Sequence, residues 1–238
     1  MSRGTQNTFV LLVGLSALVM AIKGTYLHFV KPSLLPWLVA AAVVLIVLAV
    51  ASIVRDLRDA PDAPDADEHG HRHRPWLVWL LLVPIALTTF VVPPPLGAQG
   101  AAPEAVAVTA PPKRAFPPLP AGRAPTVSIP DVVMRAAADS TNSLDRRLIT
   151  LAGFTVKYPE GTDLGRVVIV CCAADAQLAR IHLSGAAAAE AAGYPEDTWL
   201  QVEGNVVPGT STASTNFIPT IAVSRVTRID KPANTYAY

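Results

Sequence analysis

The chain has little charge and few reactive side chains. Asp, Glu, Lys and Arg together make 16% of its 238 residues, aromatics 6%, and there are two cysteines and five histidines. No Ser, His and Asp set with a nucleophile elbow, no Gly-rich phosphate loop, no HExxH and no CxxC occurs, which removes the usual grounds for calling the chain an enzyme. Two adjacent thiols speak against a thiol oxidoreductase as well, because such enzymes space their cysteines so that one unstrained disulfide can form. The scarcity of charge has a counterpart: 51% of the residues are hydrophobic and the mean hydropathy is +0.39, too apolar for an ordinary soluble protein.

The excess lies at the front. Phe9 to Val30 is a nearly unbroken apolar segment interrupted by Lys23 and His28, and at about 1.5 Å per residue it reaches roughly 33 Å. Leu34 to Val54 is a second such segment without charge. Trp76 to Val92 is shorter, roughly 25 Å, and spans with modest local thinning. The reading is three transmembrane helices within residues 1–92. A signal peptide is disfavoured by the length of the first segment and by the lack of a small-x-small cleavage site. Trp37, Trp76 and Trp79 lie near span ends, where aromatic rings anchor at the interface.

Orientation follows from the basic residues. The connection between the first two spans offers Lys31, whereas that between the second and third carries Arg55, Arg58, Arg72 and Arg74, and the N-terminus carries Arg3. The positive-inside rule then places the N-terminus and the 55–75 loop in the cytoplasm and everything after Val92 outside it. Within that loop four acidic residues, Asp62, Asp65, Asp67 and Glu68, precede His69, His71 and His73. The tract reads either as a weak site for zinc, nickel or copper or as a solvated linker whose arginines set topology.

Residues 93–125 are rich in Pro and Ala, the composition of an extended, semi-rigid spacer. A domain of about 126–238 follows. Ile129 to Ala138 and Ser140 to Arg147 read as a short helical lead-in, with Ser140, Thr141 and Asn142 available as caps. Strands are expected at Leu148–Tyr158, Arg166–Cys172, Gln177–Leu183, Thr198–Val207 and Thr220–Ile229, with an alanine-rich helix at Ala186–Ala192 that stops at Gly193. Five short strands with one helix between the third and fourth fit a small OB-like barrel, and a split β-sandwich is the alternative. From Pro125 onward nine Lys and Arg stand against eleven Asp and Glu, a net charge of −2 that argues against nucleic acid.

The stretch Arg166-Val-Val-Ile-Val-Cys171-Cys172-Ala-Ala-Asp175 carries the candidate chemistry. Neighbouring cysteines ligate a soft metal, form a strained vicinal disulfide, or pack as small hydrophobes. Adjacent residues of an ideal strand face opposite sides, so both thiols reach one ion only where a bulge or strand end intervenes. Asp175 would be a hard ligand at the rim and His182, on the next strand, a fourth member. Trp199 reads as a core ring and Arg146-Arg147 as a solvated pair.

Several of these features together carry a family resemblance. The N-terminal spans, the histidine-bearing loop, Pro94-Pro95-Leu96-Gly97, Cys171-Cys172-Ala-Ala-Asp175-Ala, Trp199-Leu-Gln-Val-Glu-Gly204 and Tyr236-Ala-Tyr238 are similar to those of the bacterial YcgQ-like, DUF1980 family. The resemblance implies a multi-pass protein of the bacterial plasma membrane that acts as a permease subunit beside a multi-span YcgR-like (DUF318) permease. The function expected on these grounds is that of an accessory subunit handling a metal or metalloid through its extracytoplasmic domain. A stand-alone membrane-anchored metal sensor or scavenger is the alternative. No cofactor is required by the pattern, and zinc or another soft transition metal is the ion class the thiols suit.

Overall fold

A computed structural model describes residues 3–58, 94–98, 100, 111–159 and 161–238. The third apolar segment and the histidine loop, with His69, His71 and His73, lie outside the described residues. The chain divides into two units, Met1–Pro94 and Pro95–Tyr238.

In the first unit α1 spans Arg3–Lys23 and α2 spans Leu35–Arg58. Both are long and apolar enough to cross a membrane. They pair through small residues: Ala42 and Ala49 are buried, and a Cβ on Gly14 would stand 2.8 Å from Ile46 and 3.1 Å from the carbonyl of Ala42. Close backbone approach of this kind is how helices associate in an apolar solvent. The first helix is shorter than the apolar run predicts. It ends at Lys23, not Val30, because Gly24 takes a left-handed conformation (φ 75°) and the chain continues as one-turn 3-10 segments at Thr25–His28 and Pro32–Leu34. Lys23 therefore sits in the last helical turn, where a cation complements the helix dipole, and closes the candidate span Gln6–Lys23 instead of interrupting it.

The second unit opens with α3, Ile129–Ala138. Ser128 caps it, its Oγ accepting the N–H of Asp131, and Pro130 occupies the first turn. Ile129, Val132, Arg135 and Ala138 form its buried stripe. The expected helix at Ser140–Arg147 is instead a series of turns, with Asn142 and Arg146 at positive φ and the Asp139 carboxylate accepting the N–H groups of Thr141 and Ser143. Local capping of the backbone by Asp competes with helix here and wins.

Five strands follow: β1 Leu148–Tyr158, β2 Gly161–Val168, β3 Gln177–Ser184, β4 Trp199–Val206 and β5 Thr220–Arg228, with α4 at Ala188–Ala192 between β3 and β4. They close into a barrel in the order β1-β2-β3-β5-β4, antiparallel throughout except for the parallel pair β3 and β5. Closure depends on β1 serving two partners, β4 along Leu148–Phe154 and β2 along Phe154–Tyr158. Next to the hand-over at Phe154 stands Gly153, where a Cβ would lie 2.5 Å from the Gly165 carbonyl and 2.7 Å from Ile129, so only glycine lets the helix and the neighbouring strand approach.

Inside the barrel pack Ile149, Leu151, Leu164, Ile181, Leu200, Val202 and Ile221, with Ile129 and Val132 of α3 among them. A second apolar cluster contains Phe154, Val156, Val167, Ile169, Leu178, Trp199 and Tyr236, with Leu96 and Ala98 against it. Its cover comes from distant parts of the chain. Ala237 donates to Val167, Ile169 donates to Ala237, and Leu96 donates its N–H to the Tyr236 hydroxyl at 2.9 Å. The described parts of the Pro/Ala-rich stretch are thus tied to the barrel: Ala98 donates to Asp197, Arg114 bridges to Asp139, and Arg147 donates to the carbonyls of Pro120 and Gly122. Arg147 is accordingly not one of a solvated pair. Trp199 is a core ring, 6% exposed and edge-on to Phe154.

Candidate metal-binding loop

Strand β2 stops at Val168, four residues short of the expected end, because the main chain beyond it turns to meet the C-terminal tail. Ile169 remains buried in the second cluster, Val170 turns outward at 71% exposure, and Cys171 and Cys172 fall in the connection to β3. The strand end thereby removes the obstacle of alternation, and both sulfurs stand on one loop. A single 3-10 turn, Ala173–Asp175, then brings the carboxylate of Asp175 back under the two cysteines.

That carboxylate organises the loop. Its Oδ1 accepts the N–H of Val170 at 2.7 Å, and its Oδ2 accepts those of Cys171 at 2.8 Å and Cys172 at 3.2 Å. The Cys171 thiol donates to the same Oδ2 at 2.8 Å, and the two Sγ atoms are 3.8 Å apart as free thiols. Donation to Asp175, helped by the contact with Cys172, pushes the Cys171 thiol up to about 11, and the same hydrogen bonds hold the Asp175 carboxyl down at about 2. The donor atoms of Cys171, Cys172 and Asp175 all lie within 4.8 Å of one another, a group able to hold a metal ion. Two sulfurs and one carboxylate oxygen suit a borderline-soft or soft cation.

His182 does not join them. Register places it opposite Asp163 across β2 and β3, and its Nδ1 lies 2.6 Å from Asp163 Oδ1 and 3.3 Å from the Tyr158 hydroxyl. Asp163 is fully buried, with Arg180 Nη1 3.6 Å from its other oxygen. Burial raises the Asp163 carboxyl above its ordinary range, opposed by His182 and Arg180. This polar cluster is the part that sequence reasoning missed. A lone Asp inside the buried run Thr162-Asp-Leu-Gly was its one signal, and its partners are set by pairing rather than by spacing.

Behind the cysteine loop, β2 is braced by Arg166, whose guanidinium donates to the carbonyls of Asn234 and Tyr236 and lies 4.7 Å over the Trp199 ring. Leu96, Trp199 and Tyr236 thus meet in one cluster although they are far apart in the chain.

Two apolar helices joined to a small closed β-barrel that displays a dithiol and a carboxylate define a barrel-bearing protein with a surface metal-type loop. Residues 132–238 match the family model of the DUF1980 C-terminal domain, so the second unit of the chain carries that domain. No curated protein and no solved structure matches the chain.

Proposed function

We propose that the chain is a membrane-anchored accessory subunit of a multi-span YcgR-like (DUF318) permease, handling a metal or metalloid through a barrel held outside the cytoplasm. The observation that carries this reading is the cluster of exposed Cys171 with half-buried Cys172 and Asp175 on a barrel whose chain also bears two helices of membrane-spanning length. A third span at Trp76–Val92 and the arginines of the 55–75 loop complete a topology with the N-terminus inside a bacterial plasma membrane. The strand order, the parallel β3–β5 pair and a helix between β3 and β4 support an OB-like barrel. The face of strands 2 and 3 that OB-folds offer to oligonucleotides is partly covered here by the chain's own tail, which together with the net charge speaks for a partner other than nucleic acid.

The test is a mild-detergent pull-down of the tagged full-length chain from native membranes, with co-purifying proteins identified by mass spectrometry. A multi-span permease in near-equal amount is the expected result. Recovery of the chain alone would overturn the subunit reading and leave a stand-alone metal sensor or scavenger.

A further inference from the structure

We propose that the cargo of the cysteine loop is a tetrahedral divalent cation of the zinc class, held by three protein ligands with the fourth position open for exchange with a donor group of an acceptor. This deepens the metal-handling reading above and rests on it.

The spacing of the sulfurs suits a tetrahedral ion. Two thiolates each about 2.3 Å from a tetrahedral ion stand about 3.8 Å apart, whereas a linear two-coordinate ion between them would set them about 4.6 Å apart. The Cys171 and Cys172 sulfurs are 3.8 Å apart, the tetrahedral value. The third donor is Asp175 Oδ2, on the side where the Cys171 thiol now points. An ion entering there replaces the thiol hydrogens: two S–H bonds break, two metal–sulfur bonds form, and two protons pass to water. The ligands need little rearrangement, because the Asp175 carboxylate already ties the backbones of Val170, Cys171 and Cys172 into one unit.

The same geometry leaves the fourth position to the outside. Among the described residues the group of metal-type donors ends at three, and His182 is engaged with Asp163. Cys171 is exposed, as is Val170 beside it, so the ion would sit at the surface. A structural zinc site is closed by four protein ligands, whereas three ligands and one exchangeable position mark a site that exchanges. An imidazole or thiolate of the acceptor fits the vacancy, and ligand exchange through it moves the ion without unfolding the loop.

The experiment uses the full-length chain in detergent, reduced and anaerobic, carrying H69A, H71A and H73A so that the cytoplasmic tract is silent. Cobalt(II) is the probe, followed by competition with zinc(II) and, separately, copper(I). The expected spectrum has intense four-coordinate visible bands and sulfur-to-cobalt charge transfer. Those features should disappear in Cys171→Ser and in Cys172→Ser, zinc(II) should displace the cobalt, and Asp175→Asn should weaken uptake about 10- to 100-fold. Added imidazole should shift the bands by filling the fourth position. Bands indifferent to imidazole, a pale six-coordinate spectrum, or copper(I) uptake that zinc(II) cannot contest would each overturn the open tetrahedral site while leaving metal handling intact. A chain that takes up none of the three ions overturns the metal reading itself, and this inference with it.

Discussion

The Cys171 thiol donates to the Asp175 carboxylate across 2.8 Å, and the same carboxylate also caps the N–H groups of Val170, Cys171 and Cys172. The thiol is thereby kept protonated near neutral pH, its acidity moved up to about 11. In the metal-free protein Cys171 should be a sluggish nucleophile despite its exposure. Asp175→Asn removes the acceptor charge. Alkylation by iodoacetamide at pH 8, followed by peptide mass spectrometry, should then quicken about tenfold at Cys171, the gain in thiolate fraction outweighing the loss of intrinsic nucleophilicity. An unchanged rate would show that Asp175 does not govern the thiol.

Acid should loosen the same loop. Asp175 is held at about 2, below the unfolded carboxyl, so its contribution is present above the unfolded value near pH 4 and is lost as pH falls toward 2. Hydrogen exchange at the amides of Val170, Cys171 and Cys172 should gain in exposure over that window while the amides of β1 do not. Uniform behaviour of both sets would refute a local role.

Tyr236 tests how the tail holds the barrel. The ring is 2% exposed, and its hydroxyl accepts the Leu96 N–H. Tyr236→Ala should cost about 3–5 kcal/mol through the cavity it leaves, whereas Tyr236→Phe should cost about 1 kcal/mol through the lost hydrogen bond. Limited proteolysis adds a readout: the Phe variant should be cut faster around residues 94–98 with the barrel intact. Equal unfolding midpoints for the two variants would contradict the packing described.

The elements that alternation and β-branching define, β1, β3, β4 and β5, lie within a residue or two of where the sequence puts them, since each sends apolar side chains into the barrel core. For β2 the reading is displaced. Expected at Arg166–Cys172, the strand runs Gly161–Val168, beginning directly after the turn that follows Tyr158, and the apolar Ile169 continues past it because a separate cluster receives that side chain. The cysteines and Asp175 could be read as a group because five consecutive positions of one loop contain them. His182 could not, since its neighbour Asp163 is fixed by strand register, and the convergence of Leu96, Trp199 and Tyr236 is likewise a product of tertiary closure.

Asp139 anchors the turns that replace the expected second helix. Burial works against its ionised form, but the Ser143 and Thr141 side chains and backbone N–H groups together hold the carboxyl well below the ordinary range. A depressed carboxyl stabilises the fold above its unfolded value and loses that contribution as pH falls below about 4. Asp139→Ala should lower the unfolding temperature at pH 7, and the gap from the parent chain should narrow at pH 3. A gap independent of pH would assign the loss to packing alone.

The last prediction concerns the buried carboxylate of Asp163. It lies opposite His182, with Arg180 farther away at 3.6 Å, and one of its oxygens has no hydrogen-bond partner. Removing His182 strands a charge in the barrel wall, so His182→Ala should destabilise by about 3–5 kcal/mol, the range for breaking a buried pair. The sign of its pH dependence follows from the raised Asp163 carboxyl. A carboxyl that ionises less readily when folded weighs against the fold once the unfolded chain ionises, above about pH 4, and the penalty grows until the folded group ionises too. The variant should therefore sit closer to the parent at pH 4 than at pH 8. The double change Asp163→Asn with His182→Gln removes the charge together with its partner and should cost less than His182→Ala alone, a coupling that denaturant titration of the three chains measures directly.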